Sequence, residues 1–103
     1  MSDDVQAGLR RRFQTRCRED LSEVYAWRAA REVTADVRMA TVVHRMAGLA
    51  GSFGFHDLSR FASAIDDRLT LGLAPNPEDL AGFEAALRRA ACLPAGPQAA
   101  RPE

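Results

Sequence analysis

The residues of this 103-residue chain whose types and spacing bear on chemistry gather in one stretch, Thr41 to Phe55, TVVHRMAGLAGSFGF. Placed on a helix at ~100° per residue, Met39, Val42, Val43, Met46, Leu49, Ala50 and Phe53 form one apolar stripe, and His44 falls on the opposite side. Its helical neighbours on that outer face are Ala40, Thr41, Ala47, Gly48 and Gly51, none of them large. The imidazole therefore stands on a low, flat surface. With an unperturbed pKa of about 6.5, a neutral imidazole is a competent nucleophile near neutral pH, and it can take an electrophile such as a phosphoryl group on one ring nitrogen while the other is held. Glycine inside a helix is worse than alanine by about 1 kcal/mol, so two glycines on one face need a reason beyond helix formation. Two reasons stand open on the residues alone: close approach by another molecule, or easier packing of one helix on the next, with His44 an ordinary solvated side chain.

Other chemistries fit less well. A di-metal site in a helical bundle uses Glu-x-x-His pairs, and the residues three before His44 and His56 are Thr41 and Phe53. Ser52 points about 80° away from His44 on the wheel, and there is no Gly-x-Ser-x-Gly elbow to make it a nucleophile. Cys17 and Cys92 form no CxxC and have no metal-like spacing with the histidines, which reads as two reduced, part-buried thiols in a reducing compartment.

The run His44-Arg45-Met46-Ala47-Gly48, followed by Ala50-Gly51-Ser52-Phe53-Gly54-Phe55, resembles the signature of histidine phosphotransfer domains: an apolar residue two after the histidine, glycine at four, a small residue at seven and glycine at ten. The GSFGF ending is most similar to the phosphotransfer domains of chemotaxis-type kinases. The similarity extends through Leu58, Phe61, Ala62 and Ile65 to Asp66, where family members often carry glutamate, and the helical layout fits from about Leu9 to Leu93. The resemblance implies that His44 is the phosphoryl acceptor and that Asp66 orients it by bonding the inner ring nitrogen, which leaves the outer nitrogen as the acceptor. Aspartate is one methylene shorter than glutamate, so either direct contact or a bridging water fits; the plain alternative is an exposed acid paired with a nearby arginine. One departure stands out: the lysine usual three residues after the histidine, implied to help hold the phosphoryl group, is Ala47. Arg45, about 100° round the helix, has the reach to swing toward the phosphoryl oxygens in its place.

The elements that must position these residues are helical. Ser2, Asp3 and Asp4 supply caps and negative charge at the start of a long amphipathic helix running through Arg31, with Leu9, Phe13, Cys17, Leu21, Val24 and Trp27 inward. Arg10, Arg11, Arg12, Arg16 and Arg18 occupy its outer positions facing Glu19, Asp20 and Glu23, which reads as a solvated face. Asp20-Leu21-Ser22-Glu23 has capping-box form, yet a continuous helix is expected. Thr34 reads as the N-cap of the histidine helix, which stops near Gly54. A third helix spans Asp57 to about Leu71 with Leu58, Phe61, Ala62, Ile65 and Leu69 inward, and His56 is a helix-terminus residue. Asn76-Pro77-Glu78-Asp79 opens the last helix, which turns Leu80, Phe83, Leu87, Ala90 and Ala91 inward. With no strand alternation, the economical fold is all-α, an antiparallel four-helix bundle. Residues 1–94 form the single domain, and residues 95–103, rich in proline, form a disordered tail.

Composition bounds the function. The chain is too short for a kinase catalytic domain beside the bundle and must act through partners. Fourteen arginines balance fourteen acids, which argues against a nucleic-acid binder living on a basic surface, and with no lysine in the chain none replaces the one missing at Ala47. The N-terminus lacks the apolar core of a signal peptide and no stretch approaches a membrane span, so a cytoplasmic protein, monomeric and not an enzyme in its own right, is expected. The resemblance implies a stand-alone phosphoryl carrier between a hybrid histidine kinase and a response regulator, binding no cofactor itself; the partner receiver domain brings the magnesium ion, the aspartyl phosphate and a lysine. Ala47, Gly48 and Gly51 would let the receiver come close, and Val37 and Phe55, with Ala40 and Thr41, would form the docking rim. The rival is an adaptor of the same fold that docks receivers or kinases without being phosphorylated. A structural dimerising bundle would need an exposed apolar seam, for which only the small Val37 and Phe55 patch offers itself.

Overall fold

The computed structural model describes residues 2–30 and 37–92 as four helices and their connections. They are α1 (Ser2–Ala30), α2 (Val37–Ser52), α3 (His56–Thr70) and α4 (Pro77–Cys92), with no strand among the described residues. Each helix packs on the next and α4 closes back on α1, so four apolar stripes hide against one another in an antiparallel ring. The α2–α3 interface is the most extensive and the α1–α2 seam the most open. The expected Thr34 cap, the continuation through Arg31, the side chains of Val37 and Cys92 and the tail 95–103 lie outside the described residues.

Two glycines fix where helices stop. At Gly54 φ is +85° and at Gly72 it is +75°, a left-handed geometry that costs a residue with a Cβ but not glycine. Around each, the same pair of bonds closes the preceding helix. Phe55 N donates to Ala50 O at 2.9 Å and Gly54 N to Gly51 O at 3.2 Å; Leu73 N donates to Arg68 O at 2.8 Å and Gly72 N to Leu69 O at 3.0 Å. These are Schellman closures, and they satisfy carbonyls that would otherwise be orphaned at the helix ends. Only three residues then separate α2 from α3, too few for anything but an antiparallel return. Helix α3 starts at His56, one residue earlier than expected, and Pro77 is the first residue of α4, its start marked by the bond from Leu80 N to Asn76 O at 3.0 Å.

The core is the union of the stripes. Phe83, Met39, Met46, Leu58, Ile65, Leu87, Val24 and Val43 are fully buried, and Phe13 stacks on Phe53 at 4.9 Å and on Phe55 at 5.3 Å to close the end where α2 turns into α3. Cys17 is a buried free thiol whose pKa is pushed up to about 12 by burial and then by the charge of Asp20, so it is an inert packing residue. Two expected core residues lie outside: Leu9 is 42% exposed and Leu49 37%. Helix α1 has 29 residues against 15 or 16 in the others. Leu9 lies beside Leu49 and Phe53 in a groove along the α1–α2 seam, where the helices approach least closely and leave it only part-covered. Leu49 faces the open α1–α2 seam there.

Two polar residues of α1 are buried instead, and both are satisfied. Gln14 Nε2 donates to Ala90 O of α4 at 3.1 Å, beside Arg18, which donates to Ala91 O at 3.0 Å. Asp20, expected on the solvated arginine-rich face, is 4% exposed and accepts from Arg45 of α2 at 3.0 and 3.1 Å. Burial raises the Asp20 pKa above its usual value, with Arg45 pulling the other way. The α1–α4 seam is further tied by Glu84, which accepts from both Arg28 and Arg88.

Candidate functional site

His44 sits in the middle of α2 with its side chain 80% exposed, as the stripe of Met39, Val42, Val43 and Met46 dictates by turning the opposite face inward. Its Nδ1 lies 3.0 Å from Oδ2 of Asp66 on α3. A carboxylate only accepts, so this bond requires the proton on Nδ1 and leaves Nε2 as the ring nitrogen with a free lone pair. The aspartate, though shorter than glutamate, reaches the ring directly, and the side chain is 23% exposed, set between the two helices.

The surface around the ring divides into an open part and an engaged part. Gly48, one turn beyond His44, is exposed, and a Cβ built on it meets nothing within 4 Å. No packing among the described residues therefore explains a glycine there. Gly51 is different: it is half-buried, and its Cβ position lies 3.5 Å from Oγ of Ser59 on α3, so it belongs to the helix interface and not to the open surface expected for it. Ala47 is half-buried against the core, and its carbonyl accepts a 2.6 Å bond from Ser59 Oγ. Ala40 is half-buried and Thr41 exposed on the turn before His44.

Two expected site residues are held elsewhere. Arg45 does not lie beside the ring; its guanidinium is drawn into the α1–α2 seam by both oxygens of Asp20, where the pair shares one low-dielectric site. Phe55 is not an open patch on the histidine side; its ring stacks on Phe13 and packs against the core, because closing the bundle end buries more apolar area than a free rim would. Sequence reasoning missed Ser59, a serine inside a helical run whose hydroxyl donates across the interface to Ala47 O. It also missed the pairing of Asp20, legible in hindsight from an acid sitting one position from the apolar stripe. No cluster of His, Cys, Asp and Glu suited to a metal ion occurs among the described residues.

Fold and site together define a class: a four-helix bundle that presents one carboxylate-backed histidine to solvent from the middle of a helix. The Hpt domain family profile matches residues 8–92, most of the chain and all of the site, and the chain belongs to the Hpt, or histidine phosphotransfer, domain family. Domains of this family carry phosphoryl groups in phosphorelays and interact with receiver domains and kinases. No match was found among curated proteins or among solved structures. No helix among the described residues is long and apolar enough to cross a membrane.

Proposed function

We propose that this chain is a phosphoryl carrier that accepts the group on Nε2 of His44 from a receiver-domain aspartate or a histidine kinase and passes it to a response regulator. The observation that carries this reading is the 3.0 Å contact of His44 Nδ1 with Asp66 beneath a ring that is four-fifths exposed. In the receiver direction, the Nε2 lone pair attacks phosphorus, the bond from phosphorus to the aspartyl oxygen breaks, and the receiver recovers a free carboxylate. Nδ1 keeps its proton against Asp66, which offsets the positive charge that develops on the ring. Positioning and charge stabilisation are the main tasks in such a transfer, and the receiver supplies the magnesium ion and its own lysine. The role of this chain is to bring an oriented nucleophile within in-line distance, and the bare backbone at Gly48 leaves room for the partner's loops.

Ala47 removes the usual cation, and Arg45, paired with Asp20, does not stand in for it. That geometry favours a second reading, an adaptor that docks receivers without taking phosphate. The experiment that separates them is transfer of label from a panel of phosphorylated receiver domains to the native protein and to His44→Gln. Acid-labile, alkali-stable label on the native protein alone establishes the carrier. Binding of a receiver with no transfer to either form overturns it in favour of the adaptor.

A further inference from the structure

The contact on which the site depends has little slack. An aspartate carries its carboxylate one methylene closer to its own helix than a glutamate does, and a separation past about 3.5 Å would no longer be a hydrogen bond. The register of α3 on α2 must therefore be held to within a fraction of an ångström, and Ser59 is placed to hold it. Ser59 and Asp66 lie seven residues apart on one face of α3, and Gly51 and His44 lie seven apart on one face of α2. His44 faces Asp66 and Gly51 faces Ser59, so the same antiparallel register is clasped at two points about 10 Å apart along the helices.

The second clasp is polar and short. Ser59 Oγ donates to Ala47 O at 2.6 Å, using the second lone pair of a helical carbonyl one turn beyond His44. The approach needs a small residue at position 51, since Ser59 Oγ sits 3.5 Å from the place a Cβ would take, an ordinary van der Waals contact. An alanine would just fit there, whereas a branched or longer side chain would lever Ser59 away.

We infer that Ser59 is a positioning residue for the phosphoryl acceptor: by locking α3 to the backbone of α2 one turn from His44, it sets the register that lets Asp66 reach Nδ1 and fix the tautomer. The inference rests on the carrier function proposed above. It assigns Gly51 to the same device, as the small residue past which the serine reaches the helix.

The test compares Ser59→Ala, Ser59→Thr and Asp66→Ala with the native protein by nitrogen NMR of the His44 ring, with thermal unfolding as a check on the fold and with label transfer from a phosphorylated receiver. Ser59→Ala is expected to stay folded, to move the ring away from the Nδ1-protonated tautomer, and to slow transfer about tenfold, less than the roughly hundredfold that a full 1 Å misplacement can cost. Ser59→Thr, which keeps the hydroxyl, is expected to restore both. If Asp66→Ala shifts the tautomer and slows transfer while Ser59→Ala leaves both unchanged, the positioning role of Ser59 is overturned and the site stands. If Asp66→Ala also changes neither, the reading of the site itself is wrong. If Ser59→Ala unfolds the bundle, Gly51→Val in the presence of Ser59 takes its place, with the same tautomer shift expected and an unchanged tautomer overturning the inference.

Discussion

At the scale of single residues, Gly48 and Gly82 show how one residue type serves opposite ends. A Cβ at Gly48 meets nothing within 4 Å, so the glycine brings the fold no packing advantage and carries only its helix penalty. Gly48→Ala is expected to raise stability by about 1 kcal/mol in urea titrations, whereas Gly48→Gln, which also folds, is expected to slow phosphoryl transfer by crowding the approach to His44. Retention of normal transfer by a folded Gly48→Gln protein would remove the close-approach role. At Gly82 a Cβ would lie 2.4 Å from the ring of Phe61, closer than atoms can sit. The ring, packed against the core, would have to move, and Gly82→Ala is expected to lower stability by roughly 1 kcal/mol after its gain in helix propensity is set against the overpacking. Chemical denaturation of the two alanine variants side by side should therefore give shifts of opposite sign.

At the scale of elements, the stop at Gly54 and the Asn76-Pro77 start were legible because their physics is local. A left-handed φ wants glycine, and proline tolerates the first helical turn where its missing N–H is not needed. The inward stripes of α3 and α4 were legible for the same reason: an amphipathic helix with neighbours on one side has only one face to bury. Helix α1 was less so. Its period predicts Leu9 in the core, but whether a residue on the stripe is covered depends on how closely the partner helix approaches, which no property of α1 encodes. The pairing of Arg45 with Asp20 is hidden in the sequence because, on its own helix, Asp20 has Arg16 nearby and Arg45 has open solvent. Packing α2 on α1 brought the two together with both carboxylate oxygens engaged.

At the scale of the whole molecule, the buried Asp20 makes stability depend on pH in a defined direction. The folded pKa of Asp20 is raised from 3.8, burial outweighing the attraction of Arg45. Over the interval from 3.8 up to the raised value, the folded protein holds a proton that the unfolded chain has already released. The unfolded state then binds fewer protons, so the contribution of Asp20 to stability falls as pH rises through that interval. The stability of the native protein relative to Asp20→Asn, followed by urea denaturation across mildly acid pH, is expected to decline with rising pH. A flat difference would mean that Arg45 balances the burial, and one that grows that Arg45 outweighs it; either would overturn the expectation.

The sequence by itself determined the number of helices, the stop at Gly54, the face on which His44 is exposed and the resemblance of its surroundings to a phosphotransfer signature. All of these follow from near neighbours along the chain, where a period, a φ angle or a missing side chain has its effect within a few residues. Only the tertiary structure decided that Asp66 reaches His44 without a bridging water, that Arg45 turns to Asp20, that Phe55 stacks on Phe13 and that Gly51 makes room for Ser59. Each of those depends on the distance and register between two helices. That register is fixed when whole stripes interlock, and a shift of an ångström that leaves every local preference satisfied would change which side chains touch.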